Sequence, residues 1–231
     1  MLEYLEILKE VFINESRYWY LVEGLGFSIA TTALSALIGI ALGILIALMQ
    51  LSTWRVLSKL AFAYVYIIRG TPVVVQLMIW ANIVFVGALR DMPILLIAAI
   101  AFGINSGAYV AEIIRAGIAG LDKGQMEAAR SLGMSRTKAM FYVVLPQGIK
   151  NSLPAICNEF IINIKDTSVL SVISVMDLFF VIDSINGRTA NQDAIFIAAI
   201  IYLCLTFGIS KILGRIEKRM NLVAKPLPSS N

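Results

Sequence analysis

Charged residues punctuate this chain, and the stretches between them predict its elements. Gly24 to Trp54 carries no charge. A helix needs about 20 apolar residues to cross a hydrocarbon core, so the stretch predicts a membrane helix over residues 25–49. The apolar part of a signal peptide is shorter, roughly 7–15 residues, and follows basic rather than acidic sequence. The segment is therefore read as a retained helix. Gly70–Leu89 and Met92–Ala111 are also free of charge, with a tight turn at Arg90-Asp91-Met92-Pro93 between them. The first of these extends back to Leu60, interrupted only by Arg69. A straight helix over 60–89 would measure about 45 Å at 1.5 Å per residue, too long for an upright span. Tilt or a break at Gly70-Thr71-Pro72 resolves this, because proline drives the preceding residue out of the helical region. The next spans are expected over 93–114, over 151–176 with Glu159, Lys165 and Asp166 inside it, and over 193–213.

Composition agrees with lipid as the solvent. The chain is 59% hydrophobic and 15% charged, with a mean hydropathy of +0.83. An average soluble domain is nearer a quarter charged. These values exclude a soluble enzyme and a disordered chain. Histidine is absent, which removes Ser-His-Asp and Cys-His catalysis and histidine metal sites. Cys157 and Cys204 lie far apart in apolar sequence and are read as packing residues rather than a disulfide. No Gly-x-x-x-x-Gly-Lys-Ser/Thr sequence occurs, so the chain binds no nucleotide by a P-loop, and if transport is energised by ATP another subunit must do it.

Basic residues then orient the spans. Arg55 and Lys59 follow the first span. Arg115, Lys123, Arg130, Arg136, Lys138 and Lys150 lie between the third and fourth, and Lys211, Arg215, Lys218, Arg219 and Lys225 follow the fifth. Acids dominate before the first span and, as Asp177, Asp183 and Asp193, between the fourth and fifth. With five spans all basic regions share one face, whereas four spans would divide them. The expected topology is a multi-pass protein of a bacterial cell membrane with its N-terminus outside and C-terminus in the cytoplasm. The net charge of +4 is this bias, not a footprint for nucleic acid. No internal repeat is visible, so these few helices call for a symmetric or pseudo-symmetric partner.

The loop over 118–147 is long for a compact membrane protein. Asp122 is placed to cap a helix over 123–132, Gly133 to end it, and Ser135 to cap a second helix running towards Val144 and Leu145-Pro146. Glu127-Ala128-Ala129, Gly133, Phe141 and Leu145-Pro146 resemble the EAA loop of ABC importer permeases. Arg69-Gly70-Thr71-Pro72 with Gln76, the run Asn105–Gly117, Lys123-Gly124-Gln125, Asn158-Glu159-Phe160 and Lys165-Asp166-Thr167-Ser168 are similar to the polar amino-acid branch of that family, the histidine/glutamine/arginine type. The likeness covers roughly Phe27 to Arg219. It implies an all-α integral membrane chain of five transmembrane helices in the MetI-like permease fold, with a cytoplasmic coupling helix. It also implies a second permease (the same chain or a related one), two ABC ATPase subunits that hold ATP and magnesium, and an extracellular solute-binding protein. No cofactor is expected in this chain. Glu127, Ala128, Ala129, Arg130, Gly133, Arg136 and Pro146 are the expected ATPase-coupling residues.

An ionisable residue inside a span is costly and is a functional candidate by default. Arg69 lies beside the Gly-Thr-Pro break, and a guanidinium suits a carboxylate. Glu159, after Asn158, is a complementary acceptor for an ammonium group. Together they would receive the zwitterionic head of an amino acid, with Thr71, Asn105, Ser106 and Tyr109 adding neutral hydrogen bonds. The alternative is that Arg69 and Glu159 pair with each other and hold the bundle. Glu112 and Arg115, three apart on one helix, are expected to form a surface pair that supports structure or gating. Arg69, Glu159, Lys165 and Asp166 sum to zero charge, which favours a neutral polar substrate. A secondary transporter using Glu159 or Asp166 as an ion site, and more remotely a membrane enzyme, are the rival readings.

Overall fold

The computed structural model describes Lys9, Ile13 and residues 17–84, 91–189 and 194–219, so Arg90, Asp193, Lys225, Pro226, Pro228 and most of the acidic N-terminal stretch lie outside it. Among the described residues the regular structure is helical. The helices are α1 (Arg17–Gln50), α2 (Arg55–Gly70), α3 (Val73–Ile79), α4 (Ile94–Ala119), α5 (Gly124–Ser131), α6 (Arg136–Ala139), α7 (Leu145–Asp166), α8 (Leu178–Thr189) and α9 (Ala194–Arg219). Three of them, α1, α4 and α9, are long and apolar enough to cross a membrane, and up to five spans result if each bent helix pair counts as one.

Glycine spacing sets the packing of the two central helices. Gly39 and Gly43 on α1 face Ser106 and Val110 on α4, and a Cβ added at Gly43 would sit 2.5 Å from the Val110 side chain. In return Gly103 and Gly107 of α4 receive Ile38 and Leu42 of α1. Lipid offers no hydrophobic drive between helices, so close backbone approach through small-xxx-small pairs supplies the contact. About 67% of α4's apolar window is buried against only 11% for α9, so α4 is the hub and α9 lies at the rim. Tyr18, Trp19 and Tyr20 at one end of α1 and Trp54 beyond the other are exposed, as aromatic anchors at the two membrane interfaces would be.

α2 and α3 meet at a bend of 106° across the Gly-Thr-Pro sequence. Thr71 is extended there (φ −120°, ψ 144°), as a residue before proline must be. The fourth apolar segment is longer than its sequence implies. Instead of ending at Leu145-Pro146, the helix begun at Arg136 passes through a wider π-type turn, Met140–Val144, into α7. Pro146 has no N–H to donate, and the wider turn accommodates that loss without a break. Past Asp166 the chain tightens into a 3₁₀ segment, Thr167–Ile173. There the Thr167 hydroxyl donates to the Ile164 carbonyl at 2.9 Å. Ser174 takes a left-handed conformation (φ 59°) before α8.

α8 occupies a region whose charges predict a loop. Its apolar face, Leu178, Val181, Ile182 and Ile185, packs with Leu21 of α1 and Ile197 and Ala198 of α9. Asp177 is fully buried rather than exposed on a loop. Its carboxylate accepts from the backbone N–H groups of Phe180 at 2.9 Å and Phe179 at 3.2 Å, capping α8. Tyr202 of α9 donates to the same carboxylate at 3.3 Å.

Candidate functional site

The break between α2 and α3 frees carbonyls that a continuous helix would pair, and nearby side chains satisfy them. The Thr71 hydroxyl donates to the Ile67 carbonyl at 2.8 Å. Gln76, one turn into α3, donates its amide to the carbonyls of Ile68 (2.7 Å) and Thr71 (3.1 Å) and to the Thr71 hydroxyl (2.8 Å). The Gln76 oxygen accepts from Asn105 of α4 at 3.0 Å. Irregular backbone at membrane depth is tolerated where protein or a water-filled cavity receives it, and here protein side chains receive it. The break borders a cleft of about 490 Å³ lined by Arg69, Thr71, Asn105, Tyr109, Glu159 and Asp166, among others.

Five of the seven expected substrate residues, Arg69, Thr71, Asn105, Tyr109 and Glu159, share this cleft. Arg69 stacks its guanidinium over the Tyr109 ring, 5.2 Å from the centroid. Arg69 and Glu159 face the same space without forming an ion pair; among the described residues the pair that forms is Arg115 with Glu112. Arg115 Nε donates to Glu112 Oε2 at 2.9 Å and Nη2 to Oε1 at 2.5 Å. The other two residues lie elsewhere. Ser106 is buried and accepts from Asn163 of α7 at 2.9 Å, joining α4 to α7. Asn158 is exposed and outside the cleft. Ile162 and Asp166 also line the cleft and Gln76 braces it from behind; of these the sequence nominates only Asp166, as an ion site in the rival reading. The spacing of seven between Glu159 and Asp166 was the available signal, since two helical turns return to one face.

The loop after α4 forms the two short helices and the corner that the sequence predicts. Asp122 Oδ1 accepts from the Gly124 N–H at 2.9 Å. Gly133 (φ 85°) ends α5: its N–H donates to the Arg130 carbonyl at 3.0 Å and that of Met134 to the Ala129 carbonyl at 3.2 Å, the paired bonds of a Schellman cap. Ser135 caps α6 by accepting from the Lys138 N–H at 3.3 Å. Glu127, Ala128, Arg130, Gly133, Arg136 and Pro146 are exposed, while Ala129 turns inward and is buried. Leu132 and Tyr142 stand out at 83% and 76% exposure. The Gln147 amide donates to Gln125 at 3.0 Å and ties the loop to the base of α7.

A hub helix inside a bundle of apolar helices, a polar cleft at a broken helix and a two-helix loop at one end define a transport permease subunit of the ABC type, not a catalyst. The chain belongs to the binding-protein-dependent transport system inner membrane components, whose family model matches residues 39–222. Within that family it falls in the polar amino-acid branch. It is 38% identical over 213 residues to the L-cystine transport system permease protein of Bacillus subtilis, covering 90% of each chain. It is also 38% identical over 210 residues to the arginine transport system permease protein of Bacillus subtilis, covering 87% of this chain and 92% of that one. Among solved structures it is similar to an amino acid ABC transporter crystallised with histidines (TM-score 0.80, 41% identity, 90% of this chain and 98% of that chain). The fold is also that of the MetNI methionine transporter in an inward-facing conformation (TM-score 0.78, 18% identity, 90% and 99% covered). The expected MetI-like architecture is therefore the observed one.

Proposed function

We propose that this chain forms the membrane pathway of an ATP-driven importer for polar amino acids and receives its cargo in the cleft at the α2–α3 break. The observation that carries the reading is that Arg69 shares the cleft with two carboxylates, Glu159 and Asp166, and forms no salt bridge with either. A zwitterion supplies a carboxylate to Arg69 and an ammonium group to Glu159, with Asp166 two helical turns further along the same wall. Thr71, Asn105 and Tyr109 surround the head group, while Ser106 acts from behind by holding α4 to α7. Among the relatives, one is named for L-cystine and another for arginine, amino acids that differ in side chain and share a zwitterionic head, which fits a site built on the head group.

The N-terminus lies outside and the C-terminus in the cytoplasm of a bacterial membrane, which the lysine and arginine bias supports. The Glu127–Pro146 loop meets the groove of an ABC ATPase, two of which serve two permeases. ATP-driven closure of the ATPases pushes on the loops and reorients the pathway. A solute-binding protein delivers cargo from outside. The exposed surface of α5 and α6, flanked by Arg130 and Arg136, and the rigid caps at Gly133 and Ser135 suit that transmission.

The test is uptake by the reconstituted complex. Arg69→Ala and Glu159→Gln each abolish uptake while co-purification with the ATPase survives. Normal transport by either variant removes that residue from the zwitterion site.

A further inference from the structure

A second cleft, of about 510 Å³, shares Arg69, Gly70 and Tyr109 with the first and is otherwise lined by Phe62, Val65, Tyr66, Glu112 and Arg115. Direction along the helices places it. α4 runs from Ile94 to Ala119 and then into the α5–α6 loop, so Asn105, Tyr109, Glu112 and Arg115 descend towards that loop by successive turns. α2 runs the opposite way, and the pocket at its start joins Leu57 with Arg136 and Met140 of the loop. The second cleft therefore lies on the coupling-loop side of the first. The Arg69–Tyr109 stack, 5.2 Å from guanidinium to ring centre, stands on the wall common to both.

The Glu112–Arg115 pair faces this second space while retaining about a third of its side-chain exposure (27% and 35%). A bidentate pair on an open cleft carries the same two complements, anion and cation, that a zwitterion carries. We propose that Glu112 and Arg115 form a second, release-side station for the amino acid, separated from the first by the Arg69–Tyr109 stack. The cargo carboxylate takes Arg115 and its ammonium takes Glu112, so one intramolecular ion pair is exchanged for two intermolecular ones. Departure restores the original pair, which makes the station self-clearing. The stack admits cargo when Arg69 releases the carboxylate and swings off the ring. This station rests on the reading of the first cleft, and its test keeps the two apart.

The nucleotide-free complex, with Cys157 and Cys204 replaced by alanine, carries one reporter at a time. Ile162→Cys marks the first cleft and Phe62→Cys the second. Maleimide labelling is followed with and without saturating L-arginine, L-glutamine or L-cystine. The expected result is that at least one amino acid slows labelling at both reporters by fivefold or more. Adding Glu112→Gln with Arg115→Gln should then remove protection at position 62 and leave it at position 162. Protection at 162 alone overturns the second station and leaves the first intact. Protection at 62 that survives the double replacement also overturns it, because the slowing then does not come from the pair. Absence of protection at both reporters overturns the first-cleft reading and the station with it.

Discussion

Replacing Gln76 with leucine isolates the brace of the broken helix. The side chain is 8% exposed, close to leucine in volume, and makes four hydrogen bonds: to Ile68 O at 2.7 Å, Thr71 O at 3.1 Å and Thr71 Oγ1 at 2.8 Å, and from Asn105 at 3.0 Å. Not all four losses count. Thr71 is exposed and keeps its bond to Ile67, and Asn105 can turn to water in the cleft it lines. The Ile68 carbonyl, on a half-buried residue, is different, because Pro72 four residues on has no N–H to replace the lost bond. One stranded buried group costs about 1–3 kcal/mol, although side-chain bonds inside membrane proteins average nearer 0.6 kcal/mol. A cost of about 1–2 kcal/mol that falls on the placement of Arg69 and Thr71 weakens amino-acid binding about 5- to 30-fold, at 1.4 kcal/mol per tenfold. The assay is calorimetric titration of the nucleotide-free complex with the amino acid it binds, wild type against Gln76→Leu, with co-purified ATPase as the control for assembly. Affinity within twofold of wild type would refute the argument that Gln76 holds the break in its binding shape.

Three further outcomes follow from the packing. Gly43→Val drives a Cβ to 2.5 Å from Val110 and 3.1 Å from the Ala111 backbone nitrogen, so overpacking of about 1–3 kcal/mol should lower the melting temperature of the purified complex, whereas Gly26→Val, with no atom within 4 Å, should leave it unchanged. Gly133→Val forces a β-branched residue to φ 85°, at about 1–3 kcal/mol of strain, and should reduce substrate-stimulated ATPase activity while amino-acid binding persists. Asp177→Ala removes the cap of α8 and the acceptor for Tyr202, and should destabilise the complex by about 1–2 kcal/mol in thermal unfolding, with Asp177→Asn costing less.

The parts of the fold that sequence revealed are those with one dominant physical cause. α1, α4 and α9 follow from long charge-free runs that need lipid. The α2–α3 break follows from Pro72, and the end of α5 from Gly133. α8 was hidden because Asp177, Asp183 and Arg188 make its segment read as a polar loop. The apolar positions 178, 181, 182 and 185 were nonetheless spaced for a helix face, and Asp177 was its cap rather than a solvated charge. Pro146 misleads in the opposite sense, since a wider turn carries the helix past it. Within the site, neighbours in sequence do not share one surface. Successive residues on a helix point about 100° apart, so Ser106 and Asn158 part company with Asn105 and Glu159 and serve other surfaces. Gln76 was visible only as part of a motif, because its role depends on carbonyls that the bend exposes.

The claim that the cleft recognises an amino-acid head group through Arg69 is tested most directly by pairing a change in the protein with a change in the ligand. Binding of the transported amino acid and of its carboxamide is measured on the wild-type complex and on Arg69→Ala. If Arg69 holds the carboxylate, the wild type prefers the acid by at least tenfold and Arg69→Ala binds acid and amide with equal, weak affinity. An undiminished preference for the acid in Arg69→Ala would contradict the account.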